Sequence, residues 1–178
     1  MSITVRNLSK RFGKVEAVRD VSFDVPEGSL FAFLGENGAG KTTTISCLTT
    51  VLRPDAGSVL IDGLTLGADD DEIRRRIGVV FQTSLLDAPL TVRENLRTRG
   101  IAYGLAGPAL ERRIDELARA LEVEEFIDQR YGRLSGGQRR RVDIVRALIH
   151  QPAILFLDEP TAGLDPASRR QVWQAIRG

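Results

Sequence analysis

The stretch that decides the fold is GENGAGKT, residues 35–42. It fits the pattern G-x-x-x-x-G-K-[ST], a loop whose backbone N–H groups cradle a row of phosphates. Before it stands SLFAFLG, residues 29–35, a short apolar run that reads as a buried parallel strand. After it comes KTTTISCLTTVL, residues 41–52, which reads as a helix stopped by RPDAG. Strand, glycine loop and helix in that order are the context the pattern requires. The glycines let successive N–H groups turn into one concavity, and the helix N-terminus adds positive potential. The candidate phosphate-binding set is Gly35, Glu36, Asn37, Gly38, Ala39, Gly40, Lys41, Thr42 and Thr43. Lys41 is expected to reach the β- and γ-phosphates of a nucleotide, and the Thr42 hydroxyl to bind Mg2+.

Outward from the loop, the pattern is strand-rich on the N-terminal side. ITVRNLSKRF (3–12) and AVRDVSFDVP (17–26) alternate apolar and polar residues, and PEG at 26–28 is a turn signal. GSVLIDG (57–63) and GVVFQ (78–82) read as further short strands. Between them DDDEIRRRI (69–77) opens with acids and closes with bases, as suits a helix dipole. From Thr91 the spacing turns helical. TVRENLRTRGIAYGL (91–105) forms one helix, and Pro108 opens PALERRIDELARALEVEEFI (108–127), where Leu110, Ile114, Leu117 and Leu121 make one apolar stripe. GGQRRRVDIVRALIHQ (136–151) is a helix, AILFLDE (153–159) a buried strand, and PASRRQVWQAIRG (166–178) a last helix. The expected architecture is an α/β core with an antiparallel N-terminal β-subdomain, covering 1–90 and 134–178, interrupted by a helical insert at 91–133.

Composition bounds the partners. The chain of 178 residues is 42% hydrophobic and 28% charged, as for a soluble globular domain. Its formal net charge of +1 gives no electrostatic footprint for nucleic acid. Arginines cluster at 74–76, 112–113, 139–141 and 169–170, and the acids interleaved among them read as solvated helix faces. The single cysteine, Cys47, reads as a buried inert thiol. The first residues lack the apolar core of a signal peptide, and no apolar run approaches the ~20 residues of a membrane helix. The expected location is the cytoplasm, with any membrane span supplied by another subunit.

Two further segments carry chemistry. In ILFLDE, Asp158 ends an apolar strand where it can hold Mg2+ through water, and Glu159 stands one residue on, where it can polarise an attacking water. Both lie at the carboxyl end of a strand, where open α/β sheets bind ligands. LSGGQ (134–138) is a second glycine turn before a helix, with Ser135 placed as its N-cap.

Taken in order, these segments resemble the nucleotide-binding cassette of ATP-binding-cassette (ABC) transporters over nearly the whole chain. GENGAGKT resembles the family's Walker A loop, Gln82 its Q-loop glutamine, LSGGQ its signature, ILFLDE its Walker B strand and AGLD (162–165) its D-loop. Phe12 stands where the family often places an aromatic under the adenine. The resemblance implies a P-loop NTPase core that binds ATP and Mg2+ and hydrolyses ATP. It makes Gln82 a metal or water contact and a sensor for the membrane subunit. It gives the second glycine turn a distinct task. Ser135, Gly136, Gly137 and Gln138, with Asp165, would act in trans, closing over the ATP of a second cassette in a head-to-tail dimer. Leu85 and Leu86 would lie near a groove for the permease. A transmembrane permease, a second copy of the chain and a place at the inner face of the cell membrane follow. The segment around Gln82 looks most like exporters of drugs or antibiotics. The other readings are a soluble relative acting on ribosomes or DNA, and a binding-competent cassette with impaired turnover.

One departure motivates that last reading. The family carries a switch histidine beyond Walker B, whereas the sole histidine, His150, precedes Asp158 and reads as a helix C-terminal residue. The expectation is a cassette truncated at its C-terminal side.

Overall fold

A computed structural model describes residues 2–36 and 38–158. The chain divides into two compact units, residues 1–77 and 78–178.

The first unit is built on a four-stranded antiparallel sheet. Strands β1 (Ile3–Phe12) and β2 (Val15–Val25) form a hairpin, registered from Ile3 opposite Val25 to Phe12 opposite Val15. Strand β3 (Ala56–Ile61) pairs with the other edge of β1, and the two-residue β4 (Leu64–Thr65) completes the order β2-β1-β3-β4. Ile3 and Val5 face the core at the two-residue period, and the next inward residue is Leu8. The shift comes from Asn7, whose backbone is left-handed at φ 51. Its N–H donates to Ser22 Oγ at 2.8 Å and its amide to Asp20 Oδ1 at 2.6 Å. This bulge re-aims the strand so that Leu8 and not Asn7 is buried.

Helix α1 (Lys41–Leu48) is shorter than its apolar pattern suggests. The buried Thr49 hydroxyl donates back to the Ile45 carbonyl at 2.9 Å, and Thr50 turns left-handed at φ 62. Helix α2 (Asp70–Arg76) has the acid-first, base-last order that its sequence predicts.

The run 29–34 differs from expectation, because it forms no strand. Its aromatic rings supply the partners instead. Phe31 stacks on Phe23 at 5.1 Å between centroids, and Phe33 meets both edge-on. Leu34 stands exposed at the end of the run.

Among the described residues of the second unit, strand β5 (Ile77–Val80) pairs with β6 (Ile154–Leu157), and three helices surround an apolar core. Helix α3 (Val92–Ala102) starts at Thr91, whose hydroxyl accepts from the Glu94 N–H while the Glu94 carboxylate takes the Thr91 N–H. Helix α4 (Gly107–Ala120) buries the predicted stripe of Leu110, Ile114 and Leu117, with Leu121 at its C-cap. It ends before the expected residue 127. Glu122 is left-handed at φ 52 and the Val123 N–H closes on the Ala118 carbonyl at 2.8 Å, so 124–126 becomes a separate 3-10 turn. Helix α5 (Gly136–Leu148) follows the second glycine turn. No helix among the described residues is long and apolar enough to cross a membrane.

Candidate functional site

The glycine loop in the first unit turns on left-handed glycines, Gly38 at φ 87 and Gly40 beyond it. Gly40 is the N-cap of α1 and is left-handed at φ 81. A Cβ there would overlap the Ala17 carbonyl oxygen on β2, so glycine is required by both backbone and packing. From the first turn of α1, Lys41 Nζ folds back to donate to the Gly35 carbonyl at 2.8 Å and the Glu36 carbonyl at 2.7 Å. The ammonium is thereby held over the loop. Thr42 is exposed on the same first turn, Thr43 is half-buried, and Gly38 and Ala39 are exposed. A cationic side chain, an open helix N-terminus and a backbone too close for any side chain fit a polyphosphate. Phe12 ends β1, 48% exposed, with Lys10 Nζ 5.8 Å from its ring centroid. Asn37 lies outside the described residues.

The second unit carries the other group of candidates. Gln82 is exposed just past β5, and Asp158 is buried just past β6. The Asp158 N–H donates to the Val80 carbonyl at 2.9 Å, so the two strand ends are hydrogen-bonded neighbours. Oxygen donors of the kinds found on Thr42, Gln82 and Asp158 suit Mg2+, a hard cation. Glu159 and Asp165 lie outside the described residues.

Ser135 caps α5 as its position predicts. Its hydroxyl accepts from the Gln138 N–H at 3.3 Å, and its N–H donates to Gln138 Oε1 at 2.9 Å. Gly136 is exposed, its φ is ordinary, and a Cβ added there would meet nothing within 4 Å. Among the described residues, neither conformation nor packing asks for glycine at this position.

Within the arginine run 139–141, Arg139 is exposed as its charge suggests, but Arg140 is not. Arg140 is only 7% exposed, Arg139 lies over the Tyr131 ring and Arg141 over the Phe126 ring. Arg74 to Arg76, in contrast, do form exposed ion pairs with Asp71, Glu72 and Asp62. Sequence reading also passed over Asp143, buried on the same face of α5 as Arg140. Ser84 Oγ donates to its Oδ1 at 2.6 Å and the Tyr131 hydroxyl to its Oδ2 at 3.4 Å. Arg140, Asp143, Ile144 and Ala147 stand at i, i+3, i+4 and i+7, and that spacing was the available signal. His150 follows α5 and stacks on Tyr103 with ring centroids 3.8 Å apart. Cys47 is buried, and burial pushes its thiol up, as an inert core residue requires.

The family described as ABC transporter matches residues 18–162. The chain is 41% identical over 175 residues to the Nod factor export ATP-binding protein I of Burkholderia lata, covering 98% of this chain and 58% of that protein. It is 39% identical over 176 residues to a daunorubicin resistance ATP-binding protein of Streptomyces coeruleorubidus, covering 99% and 55%. Among solved structures, a dimeric ATP-binding cassette in a post-hydrolysis state, bound to ADP and Pi, superposes with a TM-score of 0.88 at 32% identity. That match covers 98% of this chain and 81% of that one. The chain spans little more than half the length of the curated relatives it matches. By this family match and these similarities, with the P-loop NTPase fold they share, the chain belongs to the ABC transporter family.

Proposed function

We propose that the chain is the ATP-hydrolysing motor of an ABC exporter of drug- or antibiotic-like compounds. It would work as a pair of cassettes at the inner face of the membrane, beneath a transmembrane permease. The observation that carries this reading is the loop at 35–42, where Gly40 turns left-handed against Ala17 and Lys41 is held over the loop carbonyls. In this reading the loop from Gly35 to Thr43 takes the phosphates, and Phe12 stacks on the adenine. Thr42, Gln82 and Asp158 supply oxygen contacts to Mg2+, which neutralises phosphate charge when bound. Glu159 accepts the proton of the water that attacks the γ-phosphate, as the bond to ADP breaks and inorganic phosphate leaves. Residues 1–90 and 134–178 form the nucleotide-binding core, and 91–133 the helical insert.

Ser135 to Gln138, with Asp165, serve the partner's nucleotide. The open space at Gly136 supports this, since a glycine without an internal reason suits close approach from outside. Relatives named for Nod factor export and daunorubicin resistance support the exporter reading.

The test is Mg-ATP turnover against chain concentration. The rate per chain should climb with concentration and vanish in Glu159→Gln. Ser135→Arg should keep nucleotide binding by the single chain and abolish the climb. A chain that binds no ATP in calorimetry would overturn the reading, and loss of binding in Ser135→Arg would overturn the trans role.

A further inference from the structure

Helix α5 starts at the serine turn and presents Arg140, Asp143 and Arg146 on or beside its buried face. The guanidinium of Arg140 forks. Nη1 donates to the Phe81 carbonyl at 2.5 Å, and Nη2 to the Asp158 carbonyl at 2.7 Å. These acceptors belong to the residue before Gln82 and to Asp158 itself. Both lie just past the last residues of β5 and β6, Val80 and Leu157, where the strands end. The bond from the Asp158 N–H to Val80 closes the pairing, and Arg140 takes over from there. Lower on the helix, Arg146 donates to the Val79 carbonyl, and Asp143 holds the Ser84 hydroxyl two residues beyond Gln82. The segment around Gln82 is thus tied to α5 on both sides.

We propose that Arg140 is a positioning residue for the metal end of the nucleotide site. Its planar fork sets the spacing between the strand ends that carry Gln82 and Asp158, and links that spacing to the helix beginning at Ser135. The proposal rests on the reading of Gln82 and Asp158 as metal contacts. A fork with fixed geometry can hold two carbonyls apart at one distance, whereas a lysine ammonium is a point charge on a flexible stem. Any tilt of α5 at its N-terminal end would therefore be felt at both strand ends together.

The test compares Arg140→Lys with the unaltered chain by ATP calorimetry, once in Mg2+ and once in EDTA. Arg140→Lys should keep the EDTA affinity, while the tightening by Mg2+ shrinks to within about twofold of none. Tightening that survives in Arg140→Lys overturns this proposal alone. So does an equal loss of affinity in both conditions, which would mean a general packing role. An unaltered chain without any Mg2+ effect overturns the metal reading and this proposal with it. Should Arg140→Lys fail to fold, the unaltered chain carries the test through its arginine side-chain nitrogen resonances. The Arg140 Nη signals should shift when Mg2+ is added to the ATP-bound chain, and unmoved signals would overturn the proposal.

Discussion

The hydroxyl of Ser84 donates to the carboxylate of Asp143 at 2.6 Å, joining residues 59 apart in sequence. Asp143 is buried, and its carboxyl is pushed up by desolvation. The Ser84 hydroxyl, Arg146, Arg140 and the Tyr131 hydroxyl oppose that shift without cancelling it. The folded chain therefore keeps a proton that the unfolded chain releases near the ordinary carboxylate value of 3.8. Stability from this group is full below that value and falls as pH rises through the raised folded value. Asp143→Asn is neutral throughout. Urea unfolding of both proteins from pH 3.5 upward, about the ordinary carboxylate range, should show the balance moving toward the Asn variant as pH rises. Exposed acids held low, such as Asp55 and Glu94, are common to both proteins and drop out of the difference. A gap that stays flat, or moves the other way, would contradict the buried-carboxyl account.

Gly40→Ala should damage the loop itself. The new Cβ overlaps the Ala17 carbonyl oxygen, and a left-handed alanine costs roughly 1–2 kcal/mol before that clash is counted. Lower stability in urea together with lost ATP affinity is the expected result. Native affinity in a stable variant would mean that the cradle does not depend on this turn.

Lys41→Ala separates binding from stability. Among the described residues the ammonium bonds to exposed loop carbonyls, so unfolding should change little. ATP affinity should fall about 10- to 100-fold, the scale of one charge-assisted hydrogen bond at roughly 1.5–3 kcal/mol. Calorimetry beside a urea melt decides it.

Gly136→Ala makes the opposite pairing. The site is open and helical, so alanine should stabilise α5 by about 0.5–1 kcal/mol. The added methyl would nevertheless stand where the partner's phosphates are expected to come. A higher melting temperature with reduced concentration-dependent turnover is the predicted signature. Unchanged turnover would place the partner contact elsewhere.

These substitutions mark what could be read from sequence. The turn at Gly40 was legible because it answers a local demand of backbone and packing. The helices were legible through caps and period, as at Thr91 and along the Leu110–Leu117 stripe. The run 29–34 was misread because apolar composition does not specify a ladder, and Phe31 and Phe33 pack against Phe23 without forming a strand while Leu30 and Leu34 stay exposed. Arg140 was missed because three arginines in a row look solvated. A helix turns about 100° per residue, so the middle one can point inward while its neighbours lie over aromatic rings. Asp143 was overlooked because its partner Ser84 is distant in sequence and has no signature of its own.

Among the described residues, Arg140 and Arg146 on α5 donate to main-chain oxygens, those of Val79, Phe81 and Asp158. Every amino acid brings the same carbonyl. Genetic drift at the receiving positions thus leaves these bonds chemically intact, while drift at the donors removes them. In a saturation screen scored for folded protein, tolerance should be lopsided: narrow at Arg140 and Arg146, broader at Phe81, whose side chain has no part in the bond.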